Sequence, residues 1–280
     1  MSSSYPDPVE GDGLSRSALR MKRMFPGVEL VPEDLYLLEP FQLGYLPGWA
    51  PEAELACLLR ACPGIETFMR KSHPPIDGYL DRIIGENPGS GDRNHDDAQE
   101  LLWTLADMLV YGKCPEVYDS LEFHGWDFGE ITSIVSLKGA TVLDAGAGTG
   151  RVAFEAALHA EEVYAVEPVG RLRDFMREKA RKTGLGNVHV TDGFLHSLPF
   201  SNGFFDVLIT SHALGWKLEE ELPEMERVVT RGGSVIHCPG TLASEGESGA
   251  HIVLTSPPWN YRFSVYEESD GSKRKYWKEV

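Results

Sequence analysis

The sequence predicts an α/β protein in which helices cover both faces of a doubly wound, mostly parallel sheet, preceded by a mostly helical extension. Two observations lead to this fold class. Beyond Gly139, short apolar runs of strand length alternate with helical patterns, which is the order expected of parallel strands joined by helices. Near the end of the chain, a polar turn lies between two strand-like segments and adds an antiparallel hairpin to that sheet.

The composition excludes several classes of protein. The chain has 280 residues, with 26 Lys and Arg against 43 Asp and Glu, and a formal net charge of −17. An acidic surface repels phosphate backbones and anionic lipids, so we expect neither a nucleic-acid nor a membrane partner. There is no apolar run of spanning length and no leader-like segment, which predicts a soluble cytoplasmic protein, either a monomer or a homodimer.

The cysteines and histidines predict no metal site. The four cysteines form no CxxC pair, and none of the nine histidines has zinc-type spacing to them. We therefore expect the cysteines to be reduced and to pack in the interior.

The first part of the chain is predicted to be a helical extension. Helical patterns run over residues 51–61 and 76–84, and the stretch 85–94 is rich in Gly, Pro, Asn and Ser, as linkers are. We divide the chain into an N-terminal helical extension, residues 1–95, and a main domain, residues 96–280. The extension is expected to serve as a lid or as a dimerisation element.

Two further helices are predicted from charge and apolar spacing. Residues 14–25 form a basic amphipathic segment in an otherwise acidic chain. Docking on the protein's own acidic body is expected there, and contact with a membrane or nucleic acid is the alternative. Asp97 and Glu100 have the spacing of a capping box, and the apolar periodicity after them predicts one helix that ends at Gly112.

The main domain is predicted to hold five strands in alternation with helices. The strands are expected at residues 140–144, 162–166, 187–191, 204–210 and 233–238, and the helices at 150–159, 168–183 and 217–229. The hairpin follows at Tyr261–Trp277, around the turn residues 269–272.

The segment ATVLDAGAGTGR joins the first strand to the first helix of this domain. It places Asp144, Gly146, Gly148 and Gly150 directly before the helix. Glycines let the backbone turn sharply and approach a ligand closely, so a nucleotide-like cofactor is expected in the crevice at the strand ends. A dinucleotide is disfavoured, because Arg151 occupies the third glycine position of its fingerprint and because a carboxylate suits a cation better than a pyrophosphate.

Two more carboxylates follow at strand ends. Glu167 closes the second strand, where a carboxylate can accept both ribose hydroxyls, and Asp192 closes the third, where it can accept from an adenine amine. Each acid alone is compatible with a surface position or a helix cap. Three acids at successive strand ends predict one site for a cationic adenosine compound.

In this order the motifs resemble those of class I S-adenosylmethionine-dependent methyltransferases, over roughly residues 120–280. VLDAGAGTG resembles the first motif of that family, YAVEP the second and TDGFLHSLPF the third, while FFDVLITSHAL resembles its fourth strand and ERVVTRGGSVIH its helix-turn-strand segment. The terminal hairpin also fits, since the family appends an antiparallel strand. The resemblance implies a Rossmann-like fold, S-adenosylmethionine as cofactor and methyl transfer to a small-molecule substrate.

The resemblance also implies which residues contact the cofactor. Asp144 would fix the glycine loop and the ligand's ammonium, Glu167 would bind the ribose, and Asp192 with Gly193 and Phe194 would bind the adenine. The full set of implied contacts is Asp144, Ala145, Gly146, Gly148, Gly150, Glu167, Pro168, Asp192, Gly193, Phe194 and Ser211.

Methyl transfer depends mainly on positioning, and a general base is not obligatory. If there is a base, His212 is the candidate, because it lies just past the fourth strand. His124, near Trp126, is a second candidate, with aromatic core packing as the alternative reading. The tetrapeptide SPPW at 256–259 resembles a motif of amino-group DNA methyltransferases, but it follows the fifth strand and not the fourth, so a structural turn is expected.

Three functions stay open on sequence grounds. The first is a methyltransferase acting on a small molecule. The second is a methyltransferase acting on protein or RNA, with residues 14–25 as the docking element. The third is a non-catalytic, S-adenosylmethionine-binding regulatory protein.

Overall fold

The chain divides into two compact units in a computed structural model, Met1–Tyr118 and Asp119–Val280. The structure describes residues 14–88, 94–121, 125–214, 217–240, 243, 249–268 and 271–280. Within these ranges, no helix combines the length and the apolar character that crossing a membrane would require.

The first unit is built of helices. Its α-helices are α1 (Arg16–Met24), α2 (Pro40–Leu43), α3 (Leu46–Trp49), α4 (Glu52–Ala61), α5 (Pro63–Ser72), α6 (Asp77–Glu86), α7 (Asn94–Thr104) and α8 (Ala106–Lys113), with 3-10 turns at Pro32–Leu37 and Pro74–Ile76. Helix α9 (Pro115–Asp119) crosses the boundary between the units. The core of this unit forms where α4 packs against α6 and α7, which buries Leu55, Leu59, Leu80, Ile83, Leu101 and Leu102.

Two of the predicted helices, at 51–61 and 76–84, are confirmed as α4 and α6. The predicted capping box is wrong, because α7 begins at Asn94 and places Asp97 inside the helix. A backbone break at Leu105, with ψ of 9°, divides the expected single helix into α7 and α8. Both helices pack within the first unit. The boundary between the compact units lies after Tyr118, whereas the linker composition suggested a boundary between residues 95 and 96.

The basic segment forms α1, which docks on α7 and α8. Ala18 is fully buried, while Arg16, Arg20 and Arg23 are exposed. These three residues are spaced four and three apart and therefore share one face of the helix. The helix docks through its small apolar side and leaves a basic face outward.

The second unit contains one seven-stranded sheet. Its strands are β1 (Thr141–Ala145), β2 (Glu162–Val166), β3 (Val188–Thr191), β4 (Phe205–Ser211), β5 (Val229–Cys238), β6 (Arg262–Glu268) and β7 (Gly271–Glu279), in the spatial order β3-β2-β1-β4-β5-β7-β6. Strands β1 to β5 pair in parallel, and β7 is antiparallel to both β5 and β6. Six strands therefore share one direction, and the predicted fold class is confirmed.

Helices complete the second unit: α10 (Gly129–Thr132), α11 (Arg151–Ala156), α12 (Gly170–Thr183), α13 (Leu218–Val228) and α14 (Gly249–Thr255). Two apolar clusters lie against the sheet. One includes Val142 of β1 with Val152 and Ala156 of α11. The other includes Leu143, the next residue of β1, with Leu222 of α13. Alternate residues of β1 thus serve opposite clusters, as the pleat of a strand requires.

The strand predictions hold to within a residue or two except at β5. This strand begins at Val229, four residues earlier than expected, because Val229 pairs with Phe205 before a bulge shifts the register to Val207 and Ser234. The terminal hairpin is confirmed as β6 and β7. Part of its predicted turn, residues 269–270, lies outside the described residues.

Candidate functional site

Four strands end side by side at one edge of the sheet. Parallel pairing of β1 with β2 and β4, and of β2 with β3, brings their carboxyl ends together. The chain runs outward from β1 to β3 and then returns to the other side of β1 as β4. The gap between β1 and β4 is therefore a topological switch point, where ligands of doubly wound sheets bind. Asp144, Glu167, Asp192 and Ser211 all lie at or directly after these strand ends.

The glycine loop turns sharply after Ala145, the buried last residue of β1. The amides of Gly146 and Ala147 both donate to the carbonyl of Val166, each at 2.9 Å, so the loop bends over the end of β2. Gly146, Gly148 and Gly150 have φ values of 76°, 56° and 85°. Such left-handed angles are costly for residues with a Cβ, which accounts for the glycine at each of these positions.

Asp144 fixes the helix that follows this loop. Its side chain is 1% exposed, and its Oδ2 accepts a hydrogen bond from the amide of Ala153 at 2.9 Å. That amide belongs to the first turn of α11, where backbone donors lack partners within the helix. The structure therefore gives Asp144 a role in fixing the loop, and its contact with a ligand's ammonium stays a prediction.

Glu167 binds the same loop from the end of β2. Its Oε2 accepts from the amide of Gly148 and its Oε1 accepts from the amide of Val169, both at 2.9 Å. Pro168, which is half-buried, lies between Glu167 and Val169 in the sequence. An ionised carboxylate offers about four acceptor positions, so Glu167 keeps capacity for the two ribose hydroxyls that the sequence assigns to it.

Burial raises the pKa of both carboxyls. The pKa of Asp144 rises to about 7, because the side chain is removed from water and Glu167 is nearby, and the Ala153 amide opposes the rise. Burial likewise raises the pKa of Glu167 to about 7, against the effects of its two amide donors and of Arg173. A site with two interior acids that ionise near neutral pH favours a ligand that carries positive charge.

The raised pKa of Asp144 predicts a pH-dependent stability. The unfolded carboxyl ionises near pH 4, so between about pH 4 and 7 the folded state holds more protons and stability falls as pH rises. Asp144→Asn keeps an oxygen for the Ala153 amide and removes the ionisation. Relative to the wild type, we expect it to gain about 3 kcal/mol in free energy of unfolding between pH 5 and pH 8.

Urea unfolding at the two pH values measures this change. Asp174→Asn is the matched control, because the Asp174 side chain is 79% exposed on α12. An Asp144→Asn variant whose stability difference from the wild type is the same at both pH values would contradict the prediction.

Asp192 lies at the end of β3 and projects into solvent, with 68% of its side chain exposed. Its Oδ1 accepts from Arg173 of α12 at 2.9 Å. The same guanidinium nitrogen donates to the main-chain oxygen of Glu167 at 2.7 Å. Sequence reasoning missed Arg173. A basic residue six positions after Glu167, early in the following helix, is the signal that could have identified it as a partner of the acids.

The residues after Asp192 form a tight turn. A Cβ on Gly193 would lie 2.9 Å from Pro199 and 3.0 Å from Val166, so only glycine fits without movement. Phe194 pairs with Ser197 through an isolated bridge, and its ring stacks on His196 at 5.3 Å. The expected adenine-binding segment is thus packed against the end of β2.

His212 follows β4 in an unusual backbone conformation, with a φ of 56°. Its Nδ1 lies 3.0 Å from Ser211 Oγ, and its amide donates to the carbonyl of Cys238 at 2.9 Å. The ring occupies the space that a Cβ on Gly240 would need, about 2.2 Å from that position. Left-handed non-glycine residues of this kind cluster at functional sites.

The loop after β4 also contacts the glycine loop. A Cβ built on Gly146 would lie 2.4 Å from the Cβ of Ala213. His212 is therefore one residue from a direct contact with the expected cofactor loop. The structure brings Asp144, Glu167 and the His212 segment to the same edge of the sheet.

The contact between the loops predicts a distinct effect of Gly146→Ala. The new methyl would both occupy a φ of 76° and displace Ala213. We expect S-adenosylmethionine affinity to fall at least about tenfold, which corresponds to 1.4 kcal/mol. Gly184→Ala is the control, because Gly184 has a φ of 71° with no atoms within 4 Å. It should lose about 1–2 kcal/mol of stability and no affinity.

Calorimetric titration measures the cofactor affinity of the two variants, and urea unfolding measures their stability. Both variants carry backbone strain, but only Gly146→Ala collides with Ala213. Equal cofactor affinity in Gly146→Ala and the wild type would show that the two loops do not shape the site.

Two other segments noted in the sequence have structural explanations. Arg151 donates to the carbonyl of Trp126 at 2.8 Å and lies over its ring at 5.7 Å, so its bulk anchors the segment that precedes β1. His124 lies outside the described residues. The SPPW segment forms a turn after α14, in which the amide of Trp259 donates to Ser256 at 3.0 Å.

The hydrogen-bond acceptors at this edge of the sheet fit S-adenosylmethionine. The carboxylates of Glu167 and Asp192 offer acceptors that suit its ribose and adenine groups, and the glycine loop lets a ligand approach the loop's own backbone closely. The hydroxyl of Thr149, in that loop, is buried and makes no hydrogen bond. Across the described ranges, no group of three or more His, Cys, Asp and Glu side chains could hold a metal ion.

Comparison with known families and proteins agrees with this assignment. Residues 142–233 match the model of the methyltransferase domain family. An uncharacterized methyltransferase of Anoxybacillus flavithermus is 27% identical over 134 residues, which cover 46% of this chain and 59% of that protein. A Sulfolobus acidocaldarius protein named "Probable cobalt-precorrin-6B C(15)-methyltransferase (decarboxylating)" is 34% identical over 102 residues, covering 35% of this chain and 52% of that protein.

The fold has a solved counterpart. The crystal structure of an S-adenosylmethionine-dependent methyltransferase from Aquifex aeolicus aligns with 61% of this chain and 98% of its own, at 22% identity and a TM-score of 0.50. This likeness shows the fold alone. The present chain covers less than two thirds of either curated relative, at 59% and 52% of their lengths.

Proposed function

We propose that this chain, whose residues 142–233 match the methyltransferase domain family, is a class I S-adenosylmethionine-dependent methyltransferase that methylates a small-molecule acceptor. One observation carries the proposal. Acids at the ends of β1, β2 and β3 converge beside a glycine loop at the switch point of the sheet. This arrangement suits a cationic adenosine compound, and S-adenosylmethionine has that charge and that nucleoside.

Each of the three acids is proposed to have a different role in binding the cofactor. Glu167 would accept the ribose hydroxyls and Asp192 the adenine amine, while Asp144 keeps the glycine loop in its bent shape through Ala153. When bound, S-adenosylmethionine would supply an activated methyl group: an acceptor lone pair would bond to the methyl carbon as the carbon–sulfur bond breaks in line, with S-adenosylhomocysteine as the leaving group. Positioning of the reactants can lower such a barrier by about 7–11 kcal/mol.

His212 is proposed as the base that removes the proton from the acceptor. It follows β4 at the switch point, and Ser211 Oγ at 3.0 Å fixes the direction of its Nδ1. For the other ring nitrogen to act as the base, Nδ1–H would donate to the Ser211 hydroxyl, which can accept as well as donate. Ser211 would then support His212, in addition to the cofactor contact expected from the sequence.

The test has two stages. Calorimetry with S-adenosylmethionine and with S-adenosylhomocysteine measures cofactor binding, for which we expect micromolar or tighter affinity for both. A metabolite library is then scored for formation of S-adenosylhomocysteine. Absence of binding would refute the proposal, and binding without turnover on any acceptor would favour a regulatory protein.

One surface feature supports a second candidate, an anionic macromolecule as acceptor. Helix α1 exposes Arg16, Arg20 and Arg23 on one face, and aligned arginines suit phosphate groups. RNA binding that weakens steeply between about 50 and 200 mM salt would favour this candidate. Absence of RNA binding at physiological salt would exclude RNA.

A further inference from the structure

Arg173 joins two of the acidic positions that form the proposed cofactor site. Its NH1 nitrogen donates to the main-chain oxygen of Glu167 at 2.7 Å and to Oδ1 of Asp192 at 2.9 Å. One guanidinium nitrogen thus bridges the carboxyl ends of β2 and β3. Only 17% of the Arg173 side chain is exposed, against 68% for Asp192.

This ion pair is poorly placed to stabilise the fold. One partner is largely in water, where such pairs contribute little. Its geometric effect is larger, because an exposed aspartate otherwise samples several side-chain conformations. With Oδ1 held by Arg173, the other carboxylate oxygen keeps its acceptor positions in a fixed direction at the end of β3.

We propose that Arg173 is a positioning residue that aims the Asp192 carboxylate at the exocyclic amine of adenine, and so sets the preference for adenosine over nucleosides without that amine. The inference rests on the proposed function and adds a determinant of cofactor selectivity to it. A carboxylate accepts from an amine but repels a carbonyl oxygen at the same place, so a fixed carboxylate rejects the analogue.

The test compares S-adenosylhomocysteine with S-inosylhomocysteine, in which a carbonyl replaces the amine. Calorimetry gives both dissociation constants for the wild type, Arg173→Met and Arg173→Lys. A hydrogen bond to a charged group corresponds to about a 10- to 100-fold preference for the adenosine compound in the wild type. We expect the preference to fall below about threefold in Arg173→Met.

Arg173→Lys should recover part of the preference, because lysine keeps the charge but reaches one acceptor at a time. Arg177→Met is the matched control. Arg177 lies one turn further along α12, pairs with Asp174 at 2.9 Å and donates to the carbonyl of Val190 at 3.2 Å. It has the same chemistry as Arg173 without a site acid, so its loss should leave the preference unchanged.

The outcomes are distinguishable. A full preference retained in Arg173→Met, or an equal loss in Arg177→Met, would overturn the positioning role. Equal binding of the two compounds by the wild type would overturn it as well, while leaving the methyltransferase proposal intact. Binding of neither compound by the wild type would refute the proposed function itself. Thermal melts of each variant verify that the comparison uses folded protein.

Discussion

Glu167→Gln is expected to lower S-adenosylmethionine affinity by about 10²- to 10⁴-fold. The glutamine amide can replace only one of the two oxygens that accept from Gly148 and Val169, because its NH2 group donates. The variant also loses the charge and acceptor positions assigned to the ribose hydroxyls. Hydrogen bonds to charged groups contribute about 1.5–3 kcal/mol each, and two of them account for the expected range.

Glu162→Gln is the control for this prediction. Glu162 begins the same strand, is about half exposed and pairs with His189 at 2.7 Å, away from the glycine loop. Calorimetry with S-adenosylmethionine should show wild-type affinity for this variant. If Glu167→Gln also binds within about threefold of the wild type, Glu167 merely holds the loop and the ribose assignment fails.

His212→Ala is expected to reduce turnover by about 10²- to 10⁴-fold, the usual contribution of a general base. Cofactor affinity should stay within about threefold, because His212 lies beyond the acids proposed to bind the adenosine group. The measurement is the rate of S-adenosylhomocysteine formation with the acceptor found by screening, together with the dissociation constant of S-adenosylmethionine.

His189→Ala is the comparison for the histidine, since His189 is exposed on β3 and pairs with Glu162. It should turn over at the wild-type rate. Undiminished turnover in His212→Ala would mean that the reaction proceeds by positioning alone, as methyl transfer from a sulfonium allows.

Sequence reasoning predicted that three acids lie at one edge of the sheet, because parallel strands end together. Once β1, β2 and β3 are recognised, the pairing of neighbouring parallel strands brings Asp144, Glu167 and Asp192 to one edge, and no knowledge of side-chain direction is needed. The bulge in β5 was not predictable in this way. It depends on how Val229 and Ser234 align with β4, which local pattern does not reveal.

Side-chain partners were also beyond the sequence. The carboxylate of Asp144 accepts a hydrogen bond from the amide of Ala153, so its observed contact is with the protein itself. The ring of His212 needs the absence of a Cβ at Gly240, 28 residues away in the chain. Contacts of this kind depend on packing between distant segments, whereas motifs report only neighbours in sequence.

The position of β7 has a consequence for how the protein is made. This strand lies between β5 and β6, and the amide of Gly232 donates to Val280 beside it. During synthesis, β6 leaves the ribosome before β7, the strand it pairs with. The edge of β5 that pairs with β7 stays unpaired until residues 271–279 have been added. The part of the sheet formed by β5, β7 and β6 therefore assembles after the rest. The β6–β7 pairing is local, but the β5–β7 pairing joins residues 39 to 45 positions apart and forms more slowly. Nascent chains at that stage expose strand edges that can aggregate.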